Sequence, residues 1–548
     1  MKFPRPVGID WERYVADKLH GDFDDHGQNV EVNKYLTELA LMEVEMEVHL
    51  DYEVIKMLQD EDENCAWECN QVRLAEISDE AQPGQAPNWA EVESQRYFDK
   101  SGVPIAPKNV KDLLKRNACK DIWFESIEKE AKALDDRGVF EYMTLDELRE
   151  RGYVTRSKKP IPMRILLSSK IKPSGEFDRA KARSVLQGDK RHMTKGIHYS
   201  VVFCASPSLV ANKVMQGLAV KDNMTRFGAD VNQAFTNAPC EPQEQLAVRM
   251  AEGMRKYTDT GEELYGVLRM AIYGSPLASK SWSRCLKDWL KNEMGQLKPV
   301  PTPEGQEQVW EPEPVQWIVR QMLYEPCMWE VRIEGRSTFF VIHTDDIDGV
   351  ADDPRDVDLI LGKFDARFGI SICEPKYMLG IQRDMSVSED GVATLQMTQV
   401  NFIEEAWDEW KHHRSGRGPP ERPADGLKFT DEKGQLIVVE EEEYKRVTAQ
   451  GYRSLVGTIL WPARNAYPMI SYAVTQLCRA MEKPSDKAWA SAMHCLHYLY
   501  SIRHEGIRYR SDASPVPVCY YDSGHLQDRV DYKSFYGFVI TFMGGPIL

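Results

Sequence analysis

The chain has 548 residues, of which 42% are hydrophobic, and a formal net charge of −17. At roughly 150 residues per domain this length predicts three or four domains, and the apolar fraction excludes a mostly disordered chain. No stretch approaches the ~20 consecutive apolar residues of a membrane span, and the N-terminus has no signal-peptide core. The cysteine count is odd, 11, which favours reduced thiols. We therefore expect an intracellular protein of the cytoplasm or nucleus that is not secreted and has no membrane partner.

The acidity is concentrated at the N-terminus. Residues 1–100 contain 24 acidic and 9 basic side chains, whereas the remainder of the chain is close to neutral. Apolar residues at helical spacing predict a solvated helical segment over residues 1–107, to which we assign no function. The nearly neutral remainder can still carry a basic groove, so the total charge does not exclude a nucleic-acid partner.

Elements after this segment are predicted from apolar periodicity and from proline and glycine. Trp123, Ile127 and Leu134 share one face of a predicted helix. Six prolines between residues 296 and 326 indicate an inserted loop rather than core. The remaining predictions are strands over residues 163–167 and 182–186, helices over 401–411 and 452–500, and strands over 516–548.

The strongest local feature is residues 339–351, where two β-prone arms flank a polar centre. This pattern predicts a β-hairpin with Asp345 and Asp346 at its turn. Adjacent carboxylates repel each other, so a pair that faces a cleft is readily explained by a bound cation. Aspartate is also common in turns for conformational reasons alone, and this segment does not separate the two explanations.

Asp230 is a third candidate carboxylate. It follows a short apolar run that predicts the end of a strand. Three carboxylates together would suit two magnesium ions, which stabilise the attacking and leaving oxygens of an in-line phosphoryl displacement. The sequence alone does not show that Asp230 meets Asp345 and Asp346.

Nine short motifs follow one another in the second to fourth quarters of the chain: residues 181–188, 196–199, 230–237, 273–274 with Trp282, 344–346, 377–381, 452–457, 472–474 and 497–499. Together they resemble the reverse transcriptase of copia-type retrotransposons. The first is similar to that family's KARLVAKG, the third to DVKTAFLNG, and the fifth falls where the family has YVDD. Each match alone is weak, but nine in the family's order are specific.

The resemblance implies an α+β, right-hand polymerase with fingers, an antiparallel-sheet palm and a thumb or connection. The implied activity is RNA-directed DNA synthesis, with Asp230, Asp345 and Asp346 as catalytic residues that bind two Mg²⁺ (or Mn²⁺) ions. The implied partners are an RNA or DNA template-primer and deoxynucleoside triphosphates.

The resemblance also assigns nucleotide binding to seven residues: Lys170, Lys172, Lys181, Arg183, Gln233, Ala234 and Phe235. Phe235 would lie beneath the incoming sugar and exclude a 2′-hydroxyl, although a phenylalanine here also suits ordinary core packing. The four cations would neutralise the triphosphate. Without the resemblance they would be interpreted as a solvated strand face.

Several positions depart from the family pattern. Leu277 replaces a glutamine, Ser279 replaces a proline, and Met469 replaces an aspartate. His343 and Thr344 stand where the family has tyrosine and valine. Losing one side-chain hydrogen bond to a substrate typically costs ~0.5–1.5 kcal/mol, which would weaken activity without abolishing it.

The C-terminal residues resemble the opening strands of a ribonuclease H, with Asp522 at the first metal-binding aspartate. The sequence ends before further acidic ligands occur, and a two-metal site needs several carboxylates. We therefore expect this ribonuclease H segment to be inactive.

The predicted organisation is an acidic segment (1–107), fingers and palm (108–400), thumb or connection (401–512) and a truncated ribonuclease H-like segment (513–548). Two functions remain open. One is a reverse transcriptase, as a whole product or a polyprotein fragment. The other is a degenerate, non-catalytic remnant that binds nucleic acid or a protein partner.

Overall fold

The computed structural model describes residues 97–99, 102–116, 119–171, 176–294, 297–300, 309–312, 317–323, 325–413, 418–425, 429, 436–524 and 535–548. The helical prediction for the acidic segment lies outside these residues, as does Lys172. Within them the protein is mixed α+β, as the sequence predicts. No helix in these ranges is long and apolar enough to cross a membrane.

The described residues form eleven α-helices, numbered here along the chain: α1 Val110–Leu114, α2 Lys120–Asp136, α3 Leu145–Glu150, α4 Leu209–Lys221, α5 Ala278–Asn292, α6 Pro354–Phe368, α7 Val400–Trp410, α8 Glu441–Ala449, α9 Tyr452–Asn465, α10 Ser471–Arg479 and α11 Asp486–Ser501. Helix α2 confirms the helix predicted around Trp123. Helix α7 and helices α9 to α11 confirm the two later helical predictions.

The strands are β1 Phe140–Met143, β2 Ile161–Ile171, β3 Phe177–Leu186, β4 Thr225–Val231, β5 Ala247–Arg249, β6 Lys256–Tyr257, β7 Glu263–Leu268, β8 Leu297–Val300, β9 Val309–Pro312, β10 Trp317–Gln321, β11 Met328–Ile333, β12 Arg336–His343, β13 Asp346–Ala351, β14 Ile370–Cys373, β15 Tyr377–Met378, β16 Ile381–Val387, β17 Ala393–Thr398, β18 Ile507–Arg510, β19 Val518–Gly524, β20 Phe535–Phe542 and β21 Gly545–Pro546. Strands β2 and β3 pair as a long antiparallel hairpin, and β19 to β21 confirm the strands predicted at the C-terminus.

Two six-stranded sheets position the candidate site. The first sheet has the order β1-β7-β5-β2-β3, with β6 on β7, and packs on α2. The second, called here the central sheet, has the order β10-β11-β12-β13-β4-β14 and is antiparallel throughout. Helices α5 and α6 cover one face of the central sheet through an aromatic core, and α4 packs on the opposite face.

The proline-rich stretch contradicts one prediction in part. Strand β10 is an edge strand of the central sheet, and Trp317 is buried in its core. The ring of Trp317 lies 3.7 Å below the ammonium group of the buried Lys363. Proline is tolerated beside an edge strand because an edge residue need not donate to a neighbouring strand. The prediction that this stretch lies outside the core is therefore wrong for β10.

A further core forms where α4 meets the C-terminal strands. The sheet β15-β16-β17-β18 and strands β20 and β21 pack against the flank of α4 that faces away from the central sheet. A separate helical core is built from α7 to α11. The core around α4 contains residues from several segments, the first at Val210 and the last at Ile547. It therefore extends across the predicted domain boundaries at 400 and 512. The boundaries themselves stay predictions.

A buried ion pair joins the central sheet to the third sheet. Asp348 on β13 and Arg383 on β16 are each 1% exposed, and two hydrogen bonds of 2.7 and 2.8 Å connect them. Asn212 and Gln216 of α4 also donate to the carboxylate of Asp348. Charges this deeply buried are tolerated because each is paired and hydrogen-bonded.

We expect Asp348→Asn to lower the free energy of unfolding by about 3–5 kcal/mol, because it leaves the guanidinium of Arg383 buried and unpaired. Urea unfolding at pH 7 measures this. Asp512→Asn is the matched control, because its ion pair with Arg510 is exposed and its loss is expected to leave the midpoint unchanged. Equal losses in both variants would contradict the assigned role of the buried pair.

Candidate active site

The pairing of β4 with β13 brings Asp230 and Asp346 together. These two residues are direct partners in the antiparallel register. Directly opposed residues project from the same face of a sheet, with Cβ atoms about 4.5–5.5 Å apart. Asp345 precedes Asp346, and its carbonyl oxygen accepts a hydrogen bond of 2.7 Å from the backbone of Val231. Asp230 is therefore a neighbour of Asp345 and Asp346, although it is far from them in sequence.

The predicted β12–β13 hairpin is confirmed, with one shift of its turn. His343 and Asp346 form the last pair of the ladder, so the two-residue turn consists of Thr344 and Asp345. Asp346 is the first residue of β13. Thr344 adopts a φ of 58°, a left-handed conformation that is uncommon for a β-branched residue and that needs support from its surroundings.

Trp282 supplies part of that support. Its buried indole N–H on α5 donates a hydrogen bond of 2.5 Å to the carbonyl oxygen of Thr344. The indole also packs edge-on against Phe368 of α6, with ring centroids 5.1 Å apart. The peptide groups of both turn residues are thus held, one by Trp282 and the other by Val231.

The carboxylates of the site destabilise one another when ionised. Burial raises the pKa of Asp230, and the charges of Asp345 and Asp346 raise it further. Burial also raises the pKa of Asp346, with Asp345 as the next cause, while the nearby His343 opposes the shift. A pKa raised by neighbouring like charges is typical of carboxylates that share one small volume.

The chemistry of the three side chains suits a hard divalent cation, because carboxylate oxygens are the preferred ligands of Mg²⁺. Their mutual repulsion is the property that such an ion relieves. Among the described residues, no group of three or more His, Cys, Asp or Glu side chains is already arranged to hold a metal ion. The pairing of β4 with β13 thus brings the carboxylates close together through the backbone.

The β2–β3 hairpin of the first sheet brings positive charge toward the aspartates. Burial lowers the pKa of Lys181, and the positive charges of Arg183, Lys170 and Arg179 lower it further. The negative charge of Asp230 opposes this shift in part. Arg183 likewise stabilises the ionised form of Asp230. Three of the four predicted cations therefore cluster near the site, and Arg179 joins them although the sequence did not single it out.

Tyr273 connects these cations to the aspartates. The guanidinium of Arg183 lies 4.2 Å from the centroid of its ring. Burial raises the pKa of Tyr273, and the charges of Asp345 and Asp230 act in the same direction. Phe235, which is partly buried, meets the same ring edge-on at 4.8 Å. The structure thus places Phe235, Tyr273 and Arg183 in one row beside the carboxylates.

The segment after Asp230 turns sharply. Gln233 has a φ of 50° and precedes a 3₁₀ turn, Ala234–Asn237, in which Ala234 is buried. The side-chain Oε1 of Gln233 is buried and accepts no hydrogen bond from the described residues. A buried acceptor without a partner is costly. Gln233 and Ala234 therefore belong to the sharp turn that begins three residues after Asp230.

Glu130 is a site residue that the sequence reasoning missed. It lies on α2, is partly buried, and accepts a hydrogen bond of 2.8 Å from the backbone of Ser184, on edge strand β3. Burial raises its pKa, against the charges of Arg183 and Lys181. The signal was present, because Glu130 interrupts the apolar stripe of Trp123, Ile127 and Leu134, and a carboxylate in a buried stripe needs a partner.

Three of the departures from the motif pattern line a cavity beside the β12–β13 hairpin. Leu277 is buried immediately before α5, so its side chain offers the cleft no polar group. His343 and Thr344 line a cavity beside the hairpin, together with Ser279. Met469 is 44% exposed in a turn before α10, and Asp522 lies exposed on β19.

Comparison with known proteins finds relatives among transposon proteins. No family model matches the chain. It is 21% identical over 473 residues to a retrovirus-related Pol polyprotein from transposon TNT 1-94 of Nicotiana tabacum, covering 85% of this chain and 32% of that protein. It is 22% identical over 396 residues to the retrovirus-related Pol polyprotein from transposon RE2 of Arabidopsis thaliana, covering 70% and 23%. A putative transposon Ty5-1 protein of Saccharomyces cerevisiae is 33% identical over 96 residues, covering 18% and 31%.

Its homologues are copia-type Pol polyproteins of transposons. This confirms the resemblance drawn from the nine motifs. The chain spans about a third or less of the length of these Pol polyproteins.

For this Pol homologue we expect Asp230→Asn to raise the thermal midpoint at pH 7.5 without divalent ions. The pKa of Asp230 is raised in the folded state, so the native protein binds a proton more tightly than the unfolded chain. Wild-type stability therefore falls as the pH rises above the ordinary aspartate value, about 3.9. The amide lacks this penalty, and its advantage is expected to shrink toward pH 4.

Thermal unfolding from pH 4 to pH 7.5 measures this difference. Asp259→Asn, in an exposed turn, is the control and is expected to show no such pH dependence. An Asp230→Asn protein that is less stable than wild type at pH 7.5 would show that carboxylate repulsion is not dominant.

We expect Trp282→Phe to destabilise the protein by about 1–3 kcal/mol, because it leaves the partly buried carbonyl of Thr344 without its donor. Trp289→Phe removes the same atoms from a neighbouring turn of α5, where the ring packs on Phe364 and Phe368. Hydrogen exchange of the β12–β13 amides separates the two. Faster exchange confined to Trp282→Phe is expected, and equal exchange in both variants contradicts a role in holding the turn.

Proposed function

We propose that this Pol homologue is an RNA-directed DNA polymerase that transfers nucleotides with two divalent ions. The observation that carries the proposal is the register that opposes Asp230 to Asp346, with Asp345 in the adjoining turn. The order of the nine motifs and the homology to Pol polyproteins support it.

Asp230, Asp345 and Asp346 would hold the ions. When bound, two such ions stabilise the attacking and leaving oxygens of an in-line displacement. The contribution of the chain is to fix three carboxylates on a rigid sheet, where Trp282 and Val231 restrain the turn. Positioning of this kind, together with charge stabilisation, supplies most of the catalysis of phosphoryl transfer.

The neighbouring residues suit a nucleoside triphosphate. Lys181 and Arg183 present positive charge to Asp230. Lys170 lies close enough to Lys181 for its charge to lower the pKa of that lysine. The turn at Gln233 has a left-handed residue followed by a helical one, a conformation whose adjacent N–H groups bind anions. Phe235, supported by Tyr273, would contact the sugar and disfavour a 2′-hydroxyl.

On this proposal the large parts of a right-hand polymerase correspond to the described units. The first sheet with α2 would form the fingers, the central sheet the palm, and the helices α7 to α11 the thumb or connection. Template and primer would contact the protein mainly through their backbones, so binding would be nearly independent of sequence.

A non-catalytic role in nucleic-acid binding is the second candidate. One observation favours it: Leu277 is a buried apolar residue where the family has glutamine. It predicts template binding without synthesis, and binding that Asp345→Asn does not alter.

Primer extension on an RNA template with Mg²⁺ tests both candidates. We expect product from the wild type and at least about a thousandfold less from Asp345→Asn, because metal stabilisation is worth several kcal/mol at 1.36 kcal/mol per tenfold. Asp390→Asn, in the exposed turn between β16 and β17, is the control and should retain full activity.

Template binding and thermal stability complete the test. Mg²⁺ is expected to raise the midpoint of the wild type more than that of Asp345→Asn, because a bound ion stabilises only the folded state. If the wild type binds the primer-template but makes no product where a related enzyme works, the polymerase proposal fails and the binding role stands.

A further inference from the structure

A cavity of about 270 Å³ lies beside the β12–β13 hairpin. Trp282, His343 and Thr344 line one part of it, and Cys204 and Cys327 line another. Neither cysteine belongs to the carboxylate site, and both are free thiols that are partly exposed. Solvent and small oxidants can therefore reach both thiols.

The two thiols share one hydrogen-bond acceptor. Cys204 donates to the carbonyl oxygen of Ala205 at 3.5 Å, and Cys327 donates to the same oxygen at 3.3 Å. Two sulfur atoms in contact with one oxygen are close neighbours, although 122 positions separate Cys327 from Ala205 in sequence. By contrast, the thiols of Cys285 and Cys373 donate to other carbonyl groups, those of Asn237 and Ser371.

Hydrogen bonds already fix the two segments that carry the thiols. The carboxylate of Glu325 accepts from the backbone N–H of Ser208 at 2.8 Å and from that of Cys327 at 3.1 Å. The carbonyl oxygen of Cys327 accepts in turn from Ile342 of β12. One side chain therefore holds the segment that follows Cys204 beside the segment that carries Cys327, and a disulfide needs such closeness of the two main chains.

We propose that Cys204 and Cys327 are a thiol-modification site that closes to a reversible disulfide when a peroxide is present. The thiol of Cys204 releases its proton, and the thiolate attacks the peroxide and breaks its O–O bond, which gives a sulfenic acid and a hydroxide that the released proton converts to water. The thiol of Cys327 likewise releases its proton, and its thiolate forms the S–S bond and displaces a second hydroxide, which that proton converts to water. Two thiols are oxidised, and one hydrogen peroxide is reduced to two waters.

The disulfide would connect the segment before α4 to the turn before β11, next to the strand that ends at His343. Burial raises the pKa of Cys327 to about 12, with Glu325 and Cys204 as further causes. Because a thiolate is the reactive form, the second step is slow at neutral pH and faster in alkaline buffer. We therefore assign Cys327 as the resolving thiol.

Peptide mapping of the full chain tests the proposal. The reduced protein is treated with hydrogen peroxide at pH 8.5, blocked with iodoacetamide and digested with trypsin without reductant. Trypsin releases Cys204 in the peptide 196–213 and Cys327 in the peptide 321–332, and each contains a single cysteine. We expect these two peptides to appear joined by a disulfide, and to separate after dithiothreitol.

The variants Cys204→Ser and Cys327→Ser are each expected to lose the joined peptide completely. Cys373→Ser removes an exposed thiol and is expected to retain it. The wild-type map suffices if a variant fails to fold. Recovery of both peptides alkylated after peroxide, or of Cys204 joined to a different cysteine, overturns the proposal. The readout is a covalent bond, so it is independent of whether the protein synthesises DNA.

Discussion

The register between β4 and β13 is the constraint on which the candidate site depends. A slip of one residue would move Asp346 to the opposite face of the sheet, because side chains alternate along a strand. Gly349 helps to fix this register, since a Cβ atom there would come within 2.2 Å of the ring of Phe227 on β4. The ion pair of Asp348 acts on the same strand. Ordinary sheet packing thus determines which carboxylates meet.

In this arrangement the repulsion between neighbouring carboxylates raises the free energy of the native state. Burial and like charges raise the pKa of both Asp230 and Asp346, so their ionised forms are destabilised by folding. The cations of the β2–β3 hairpin offset only part of this cost. Residues that oppose stability persist where function needs them. The same logic applies to Thr344, whose left-handed backbone is held by a buried tryptophan.

Much of the site was predictable, for identifiable reasons. The hairpin around Asp345 follows from two β-prone arms. Which two residues form its turn depends on the pairing of the strands. The turn consists of Thr344 and Asp345, one residue earlier than predicted. The contact of Trp282 with Thr344 joins different elements, and no local pattern encodes it. Strand β10 was missed because proline density outweighed the apolar residues that follow it. Residues 1–96, which form most of the acidic segment, and Lys172 lie outside the described residues, so those predictions stay untested.

Helix α4 lies between two cores and serves both. One flank packs on Phe339, Val341 and Val350 of the central sheet, and the other on C-terminal residues that include Phe542. Gly217 admits that ring so closely that a Cβ atom would lie 2.9 Å from it. The final strands consequently support the carboxylate-bearing sheet from behind, through α4. A change in the packing of Phe542 would therefore reach the sheet that carries Asp346 through a single helix, although the two lie far apart in sequence.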